Sequence, residues 1–234
     1  MLTIRNSYIF SVSIQILSLI IFYIVRQQHI NPELILLHNA FYLEYVVSII
    51  EFIIYLVLGL YLNTKTNMTA IRYIDWFATT NMLLISLSLF LLFNKIKFSD
   101  KNEEDKIKEL KKYDFTAIKD EYSDLFIKII SFNTLMLVFG FLGEINLINK
   151  HIALGLGLLV FGVSFKLIYE NFVGNVIFNK IFISVFIFIW LLYAVAFMLD
   201  YKNKNIAYNL LDLVSKNFFG LFLFCYIYLH NMEK

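Results

Sequence analysis

The sequence predicts an all-α membrane protein, a bundle of seven transmembrane helices in a single domain spanning residues 1–234. Of the 234 residues, 60% are hydrophobic and 16% are charged, whereas soluble domains are near half apolar and a quarter charged. The apolar residues also fall into seven long runs, each close to the roughly 20 residues that a helix needs to cross a bilayer. A soluble domain could not bury so many apolar side chains, so we expect the chain to be surrounded by lipid.

The seven runs are apolar throughout, with isolated polar residues, and this pattern favours helices over the alternating strands of a membrane barrel. The first run is predicted to stay in the protein, because no cleavage site of small residues follows it. The only proline, Pro32, stands between Asn31 and Glu33, which is typical of a helix start and opens the second run. The predicted spans, lettered A to G, are Tyr8–Val25, Leu34–Leu62, Met68–Phe93, Leu125–Ile145, Ile152–Phe172, Val176–Leu199 and Ile206–Leu229.

The connections are short except for residues 95–124, which contain eight lysines and nine acidic residues. The simplest interpretation is a charged loop in water between spans C and D. Asp100 and Glu103 have the spacing of a capping box, and apolar residues at 107, 110, 118 and 122 could form one side of a short helix on the membrane surface. A docking site for a partner protein is a further alternative.

The composition excludes several classes of function. Cys225 is the only cysteine, which excludes an internal disulfide framework and a thiolate metal cluster. The net charge of +2 indicates no basic surface for nucleic acid. His38, His151 and His230 lie near the ends of predicted helices without the spacing of metal ligands. No pairing of a nucleophile with a base is apparent, so we expect neither an enzyme nor a metal site.

Four ionisable residues lie inside predicted spans C and G, where a charge is costly and therefore indicates a function. Span C carries Arg72 and Asp75, and span G carries Asp212 and Lys216, four residues apart and on one helix face. Opposite charges that are buried together offset part of each other's desolvation cost. From spacing alone, salt bridges that join C to G would be a sufficient explanation.

Two motifs contain these charges: Arg-Tyr-x-Asp-Trp at residues 72–76 and Asp-x-x-x-Lys at residues 212–216. Both resemble the motifs of the microbial rhodopsins, the bacteriorhodopsin-like family. Spans D and F add residues that resemble positions of the family's retinal pocket, namely Met136, Trp190 and Tyr193. The resemblance covers all seven spans and implies a bacteriorhodopsin-like bundle with retinal in its core.

The resemblance implies that Lys216 carries all-trans retinal as a protonated Schiff base. Asp75 and Asp212 would be its paired counterions. Asp75 would also accept the Schiff-base proton, since an aspartate beside a cation gains proton affinity once that cation is gone. Arg72 would offset the two carboxylates, and Thr79 would hydrogen-bond Asp75.

The same resemblance assigns the retinal pocket. Tyr73 and Tyr193 would hydrogen-bond Asp212. The residues that would line the polyene are Trp76, Thr80, Met136 and Trp190. Each of these aromatic residues, taken alone, is better explained by ordinary helix packing, so the assignment depends on the joint pattern.

One departure from the family pattern concerns proton supply. Ser86 stands eleven residues after Asp75, where proton pumps of the bacteriorhodopsin type carry a carboxylic proton donor. Without that donor, reprotonation of the Schiff base should be slow or follow another route. The triplet Asp75, Thr79 and Ser86 resembles that of rhodopsins carried by giant viruses that infect algae and other protists.

Independently of the family, polar residues follow one face of four predicted helices. Span B places Glu44, Ser48, Glu51 and Tyr55 at offsets of four, seven and eleven. The other three stripes are Ser7, Ser11, Gln15 and Ser18 on A, Arg72, Asp75, Thr79 and Ser86 on C, and Asn205, Asn209, Asp212 and Lys216 on G. Polar faces in lipid must turn towards each other or towards water. The stripes therefore predict a hydrated path between A, B, C and G, with interhelical hydrogen bonding as the alternative.

These features lead to three ranked functions. The first is a light-driven transporter that moves protons outward, supported by the intact charged residues of C and G. The second is a light-gated cation channel, because rows of carboxylates select cations in pores and Glu44 and Glu51 form such a row, which also resembles channelrhodopsins. Glu44 could instead replace the missing proton donor. The third is a sensory photoreceptor, although the chain contains no visible transducer.

The resemblance also implies the setting of the protein. We expect a multi-pass protein of the host or producing cell's membrane, with the N-terminus outside and the charged 95–124 loop and the C-terminus in the cytoplasm. Protons or small cations are the expected cargo. A homo-oligomer is expected, since many family members assemble as trimers or pentamers.

Overall fold

Seven helices that are long and apolar enough to cross a membrane occur in the part of the chain that the structure, a computed structural model, describes: residues 3–26, 31–62 and 67–232. The predicted all-α bundle of seven membrane-spanning helices is confirmed. The helices are α1 Ile4–Arg26, α2 Ile35–Leu60, α3 Met68–Lys97, α4 Glu103–Lys112, α5 Phe115–Glu144, α6 Lys150–Ile168, α7 Ile177–Met198, α8 Tyr201–Asp212 and α9 Phe218–Met232.

Three short turns complete these helices. A 3₁₀ turn at Pro32–Leu34 leads into α2. A π-helical turn at Tyr169–Val173 extends α6. A second π-helical turn at Leu213–Asn217 joins α8 to α9, so these elements form one continuous span, the seventh span.

Asparagine and aspartate side chains account for where several helices begin. An N-cap side chain of this type accepts hydrogen bonds from the otherwise unpaired first N–H groups of a helix. Asn31 accepts from the Glu33 N–H, as the predicted helix start requires. The caps of α3, α5, α6 and α8 are Asn67, Asp114, Asn149 and Asp200.

The charged segment 95–124 contains more helix than the predicted spans allowed. α3 continues to Lys97, and α5 begins at Phe115, ten residues before the predicted start. Lysine and glutamate are good helix formers, so both helices extend beyond their apolar runs. A short helix is present as α4, but of the four apolar residues predicted to share its face only Ile107 and Leu110 belong to it, whereas Ile118 and Tyr122 lie on α5. The N-cap of α4 is Asn102 rather than the predicted pair of Asp100 and Glu103.

The packing order places α3 at the centre, with α2 and α5 on either side, and α1 against α2 and α8. α4 lies across one end of the bundle, which we call the α4 end, where Leu110 is buried and Lys111 lies 3.8 Å from Glu33. The opposite end holds the starts of α3, α6 and α8 and the ends of α5 and α7. Large apolar side chains, including Leu60, Ile74 and Leu159, are exposed on the outer faces, as expected of a surface covered by lipid.

Candidate functional site

A buried lysine lies between two carboxylates in the middle of the seventh span. The Lys216 Nζ lies 2.5 Å from Asp75 Oδ2 and 3.9 Å from Asp212 Oδ1, and all three side chains are at most 1% exposed. Lys216 belongs to the π-helical turn that begins directly after Asp212. Turns of this kind are frequent at functional sites. The predicted meeting of the α3 and seventh-span charges is therefore present.

Asp212 is held by hydrogen bonds from four side chains. Its Oδ2 accepts from the Tyr55 hydroxyl at 2.8 Å and from Arg72 at 3.0 Å. Its Oδ1 accepts from the Trp76 indole at 3.2 Å and from the Tyr193 hydroxyl at 2.9 Å. The four donors come from α2, α3 and α7, so the Asp212 side chain is fixed in position where these helices meet the seventh span.

Two of the expected hydrogen bonds are made differently. Tyr73, predicted to bond Asp212, packs edge-on against Trp76 and Phe141 instead, and Tyr55 of α2 supplies the second phenol. The Thr79 hydroxyl donates to the main-chain carbonyl of Asp75 at 2.9 Å, because a threonine within a helix readily reaches the carbonyl one turn before it.

An apolar cavity lies beside Lys216, between α3, α5, α6, α7 and the seventh span. All the predicted pocket residues line it: Tyr73, Trp76, Thr80, Met136, Trp190, Tyr193 and Lys216. The sequence analysis missed other lining residues, among them Leu83, Leu137, Phe161 and Tyr208. Tyr208 stands one helical turn before Asp212, so its spacing could have revealed it. The apolar ones have no such signal, because the lipid-facing surface uses the same residue types.

The second buried lysine has a different environment. The Lys204 Nζ lies 2.8 Å from Glu144 Oε2, and both side chains are nearly buried. This pair ties the start of α8 to the end of α5, and Asn67 at the start of α3 donates to the same carboxylate. Lys204 does not line the cavity, whereas Lys216 does. The sequence analysis assigned no role to Glu144 or Lys204.

Every residue of the four predicted polar stripes is buried, and contacts between helices join them. Asn209 donates to the Ser7 hydroxyl at 2.8 Å, and the Ser11 hydroxyl donates to the Asn209 carbonyl at 2.7 Å. Arg72 donates to the Asn209 side chain. These bonds connect α1, α3 and α8 between Lys216 and the end of the bundle opposite α4.

The four polar stripes together form a polar row through the bundle. On the side of Lys216 that faces the α4 end, fewer groups of this row have hydrogen-bond partners. Within the described chain, the Gln15 amide and the Ser18 and Ser48 hydroxyls have no hydrogen-bond partner, and the Ser86 hydroxyl is the one group that lies close to the Glu44 carboxylate. Lipid offers no partners either, so groups of this kind persist where water or ions can reach them. Ser86, at the position of the missing proton donor, bonds the Ala40 carbonyl one turn before Glu44.

Glu51 and Asn217 connect the polar row to the lysine. The Asn217 amide donates to Glu51 Oε2 at 2.9 Å, and both side chains are fully buried. Asn217 follows Lys216 directly in the π-helical turn. The sequence analysis missed Asn217, because it lies off the face shared by Asp212 and Lys216.

The comparisons with known proteins place this site in a family. A family profile described as "Bacteriorhodopsin-like protein" matches residues 3–229. The chain belongs to the bacteriorhodopsin-like family. Members of this rhodopsin family are light-driven transporters or sensors rather than enzymes, and they bind retinal through a Schiff-base lysine.

Solved rhodopsin structures share the fold at low sequence identity. The viral rhodopsin OLPVRII is 23% identical, with a TM-score of 0.76 over 96% of this chain and 97% of that chain. The blue light-absorbing proteorhodopsin from Med12 is 20% identical, with a TM-score of 0.72 over 99% of both chains. The Exiguobacterium sibiricum rhodopsin is 18% identical, with a TM-score of 0.66 over 94% and 93%. No curated protein matches this rhodopsin by sequence at a significant level.

The residues of this rhodopsin fit the family's cofactor. Retinal needs a long apolar cavity that reaches a lysine, and the cation formed there needs buried anions. The cavity beside Lys216 is lined mainly by apolar and aromatic side chains, and the buried carboxyl groups of Asp75 and Asp212 lie 2.5 and 3.9 Å from the Lys216 Nζ. One Asp75 oxygen has no hydrogen-bond partner among the described residues.

Proposed function

We propose that this rhodopsin is a light-gated cation channel with retinal on Lys216 and a conducting path between α1, α2, α3 and the seventh span. The observation that carries the proposal is the buried polar row of these elements, in which the Gln15 amide and the Ser18 and Ser48 hydroxyls have no hydrogen-bond partner within the described chain. The sequence alone ranked an outward proton pump first. The unpaired groups on the Glu44 side of Lys216 favour a path for hydrated cations instead.

Lys216 is the attachment point that we propose for the chromophore, since of the two lysines that are buried in the described part of the chain it alone lines the cavity. When bound, retinal supplies light-driven isomerisation beside a positive charge. Asp75 and Asp212 stabilise that charge in a medium of low dielectric constant, where an isolated cation is costly. Arg72 limits the repulsion between the two carboxylates by its ion pair with Asp212.

Glu44 and Glu51 give the path its preference for cations. Both are fully buried on one face of α2, two helical turns apart. Buried carboxylates attract cations and exclude anions. With its amide partner Asn217, Glu51 has one oxygen committed and one without a partner in the described chain, which suits a binding point that an ion can enter and leave.

The hydrogen bond between Glu51 and Asn217 is the link that we propose between light and conduction. Asn217 is adjacent to Lys216, so displacement of the π-helical turn at the chromophore moves the Asn217 amide. This breaks a bond that joins α2 to the seventh span across the path. The dark state is then closed at this level, and illumination opens it.

A second candidate, the outward proton pump, is supported by one observation: Asp75 lies 2.5 Å from Lys216, within reach of a proton leaving the Schiff base. In this case Glu44 would take the place of the missing donor, since it lies beside Ser86. The sensory photoreceptor remains the third candidate.

The deciding experiment is the photocurrent under voltage clamp with identical solutions on both sides. A channel gives a current that vanishes at zero potential and reverses sign with the potential. A pump gives a steady outward current at zero potential, which would overturn the channel proposal. A pigment with an intact visible band and no current would favour the sensory function.

The same recording tests the carboxylates. Glu44→Gln and Glu51→Gln each remove a charge from the path, so we expect smaller cation currents and a shifted reversal potential in a sodium gradient. Glu170→Gln is the matched control, because Glu170 is exposed at the end of α6 and pairs only loosely with Lys166, at 3.8 Å. Unchanged currents in both path variants would exclude a selective role for these residues.

We also propose the orientation that the family resemblance implies, with the N-terminus outside and α4 in the cytoplasm, in an oligomer of identical chains. A tag inserted after Asn102 should be accessible to antibody only in permeabilised cells. Labelling in intact cells would reverse the orientation.

A further inference from the structure

The polar row ends at a common level, on the side of Glu44 that faces the α4 end. On α1, Ser18 is followed one turn later by Phe22. On α2, Phe41 precedes Glu44 by one turn, and on the seventh span Gly220 follows Lys216 by one turn. Beyond this level most buried residues towards the α4 end are apolar, among them Leu36 and Leu37 on α2, Leu87 and Phe90 on α3, and Leu223 and Ile227 on α9. Two buried polar residues of α3 also lie there: Ser88 donates to the Leu84 carbonyl, and Asn94 accepts from the Tyr226 hydroxyl.

Phe22 occupies the position where this change happens. Its side chain is fully buried, and its ring packs edge-on against Phe41, with centroids 5.2 Å apart and an interplanar angle of 76°. On the other side the ring lies against Gly220. A Cβ added to Gly220 would come within 2.5 Å of the Phe22 ring and 3.4 Å of the Glu44 Cβ. The ring therefore reaches from α1 across to α2 and α9, next to the last carboxylate of the row.

We propose that Phe22, seated against Gly220 and Phe41, is the apolar barrier that closes the path on the α4 side of Glu44. The proposal rests on the conducting path proposed above and adds a second closure to it, one helical turn beyond the polar row. A constriction lined by apolar side chains excludes water and therefore ions without needing a charged plug. Glu44 then holds cations at an entrance that Phe22 blocks.

The position of Gly220 indicates how the barrier opens. Gly220 lies on the seventh span one turn after Lys216, and the Phe22 ring fits there only because Gly220 has no side chain. A displacement of the seventh span at Lys216 moves the surface on which the ring rests. Since Glu51 is bonded to Asn217 on the same span, one movement acts on both closures.

The barrier can be tested without any current, by chemical access to Ser18, the last buried residue of the polar stripe on α1. Ser18→Cys is made in a Cys225→Ala background, because the native Cys225 is exposed. A charged methanethiosulfonate reagent is then added from the α4 side in the dark. We expect slow labelling with Phe22 present and at least tenfold faster labelling with Phe22→Ala. Equally fast labelling with Phe22 present would overturn the barrier.

Two controls keep this result specific. Lys108→Cys lies on the exposed face of α4, at the end where the reagent is added, so its labelling should not change with Phe22→Ala. A retained visible band after adding retinal shows that each variant is folded. If the unsubstituted protein passes no photocurrent, the channel proposal fails, while the labelling rates still decide whether Phe22 blocks access.

Where photocurrent is present, a double-mutant cycle tests the contact between Phe22 and Gly220. Because the closure at Glu51 and Asn217 lies in series with the barrier, the cycle is made in an Asn217→Leu background, where Phe22→Ala should raise the dark leak current several-fold. Gly220→Ala displaces the ring, so it should change the leak when Phe22 is present and have little effect when Phe22 is already alanine. Gly162→Ala is the matched control, because a Cβ there meets nothing within 4 Å. Additive effects of the two substitutions would contradict the proposed contact.

Discussion

The two sides of the bundle bury different chemistry under the same lipid. α1, α2, α3 and the seventh span turn rows of polar side chains towards each other. α5, α6 and α7 bury mostly apolar and aromatic side chains. Their buried polar residues, such as Asn133, Ser164 and Asn179, do not follow one another along a helix face. Helix packing alone does not require the polar rows, since the second group of helices packs without them.

The contrast assigns separate tasks to the two sides. The apolar side provides most of the cavity wall, through residues such as Met136, Phe161 and Trp190, where shape matters more than charge. The polar side holds the charges and the unpaired groups. Lys216 stands at the boundary, since it lines the cavity and also bonds Asp75. Substitutions on the two sides should therefore affect different measurements.

The largest effect is expected where the two sides meet. Lys216→Ala removes the amine needed for a Schiff base, so the visible absorption band that forms with all-trans retinal should be lost completely. Lys204→Ala is the matched control, because Lys204 is also buried but bonds Glu144 away from the cavity. It should retain a visible band. A visible band in Lys216→Ala, or loss of the band only in Lys204→Ala, would show that retinal is attached at another residue.

The next effect concerns stability at the end opposite α4. Glu144→Ala leaves Lys204 buried without its partner, and breaking a buried ion pair in this way costs about 3–5 kcal/mol. We expect the pigment to bleach at a markedly lower temperature, measured by loss of the visible band on heating. The double variant Glu144→Met with Lys204→Leu should recover most of the loss, because no unpaired charge remains. A double variant as unstable as Glu144→Ala would contradict this explanation.

The sequence predicted the fold and the central charges because both depend on spacing along one chain segment. Apolar runs define the spans, and the intervals from Arg72 to Asp75 and from Asp212 to Lys216 place the charges on helix faces. The start of α5 at Phe115 was missed because the ten residues before its apolar run include several charged ones. Hydropathy indicates the part of a helix that lies in lipid, and not the full length of that helix.

Partners that come from distant segments could not be predicted in the same way. Tyr55 and Tyr73 each lie on a helix that carries buried charged residues. Only the packing of α2 against α3 decides that Tyr55 bonds Asp212. The pair of Glu144 and Lys204 joins residues 60 positions apart. No local pattern identifies either contact, because each depends on how the helices pack.

A moderate effect is expected at the bond between Glu51 and Asn217. Asn217→Leu removes the amide that holds Glu51 at 2.9 Å. If this bond keeps the dark path closed, closing of the photocurrent after a light pulse should slow by about the tenfold that a 1.4 kcal/mol bond represents. The comparison variant Val214→Ala changes the same turn on its exposed side, away from Glu51 and the cavity. An unchanged decay of the photocurrent in Asn217→Leu would show that this bond does not keep the path closed.

The smallest effects compare one polar residue from each side. Asn133 on the apolar side donates to Thr80 and Asn81, both at 2.8 Å. Interhelical hydrogen bonds in membranes average about 0.6 kcal/mol each, so Asn133→Leu should lower stability by about 1 kcal/mol, measured by thermal bleaching, and leave the photocurrent per pigment unchanged.

Gln15 on the polar side should show the opposite pattern. Its amide is fully buried and has no hydrogen-bond partner in the described chain, so Gln15→Leu removes no bond and should leave the bleaching temperature unchanged. The photocurrent should fall, because an apolar side chain then faces the path. If Gln15→Leu instead lowered stability without affecting the current, the polar rows would serve to hydrogen-bond the helices to one another. The distinction between the two sides would then describe packing rather than conduction.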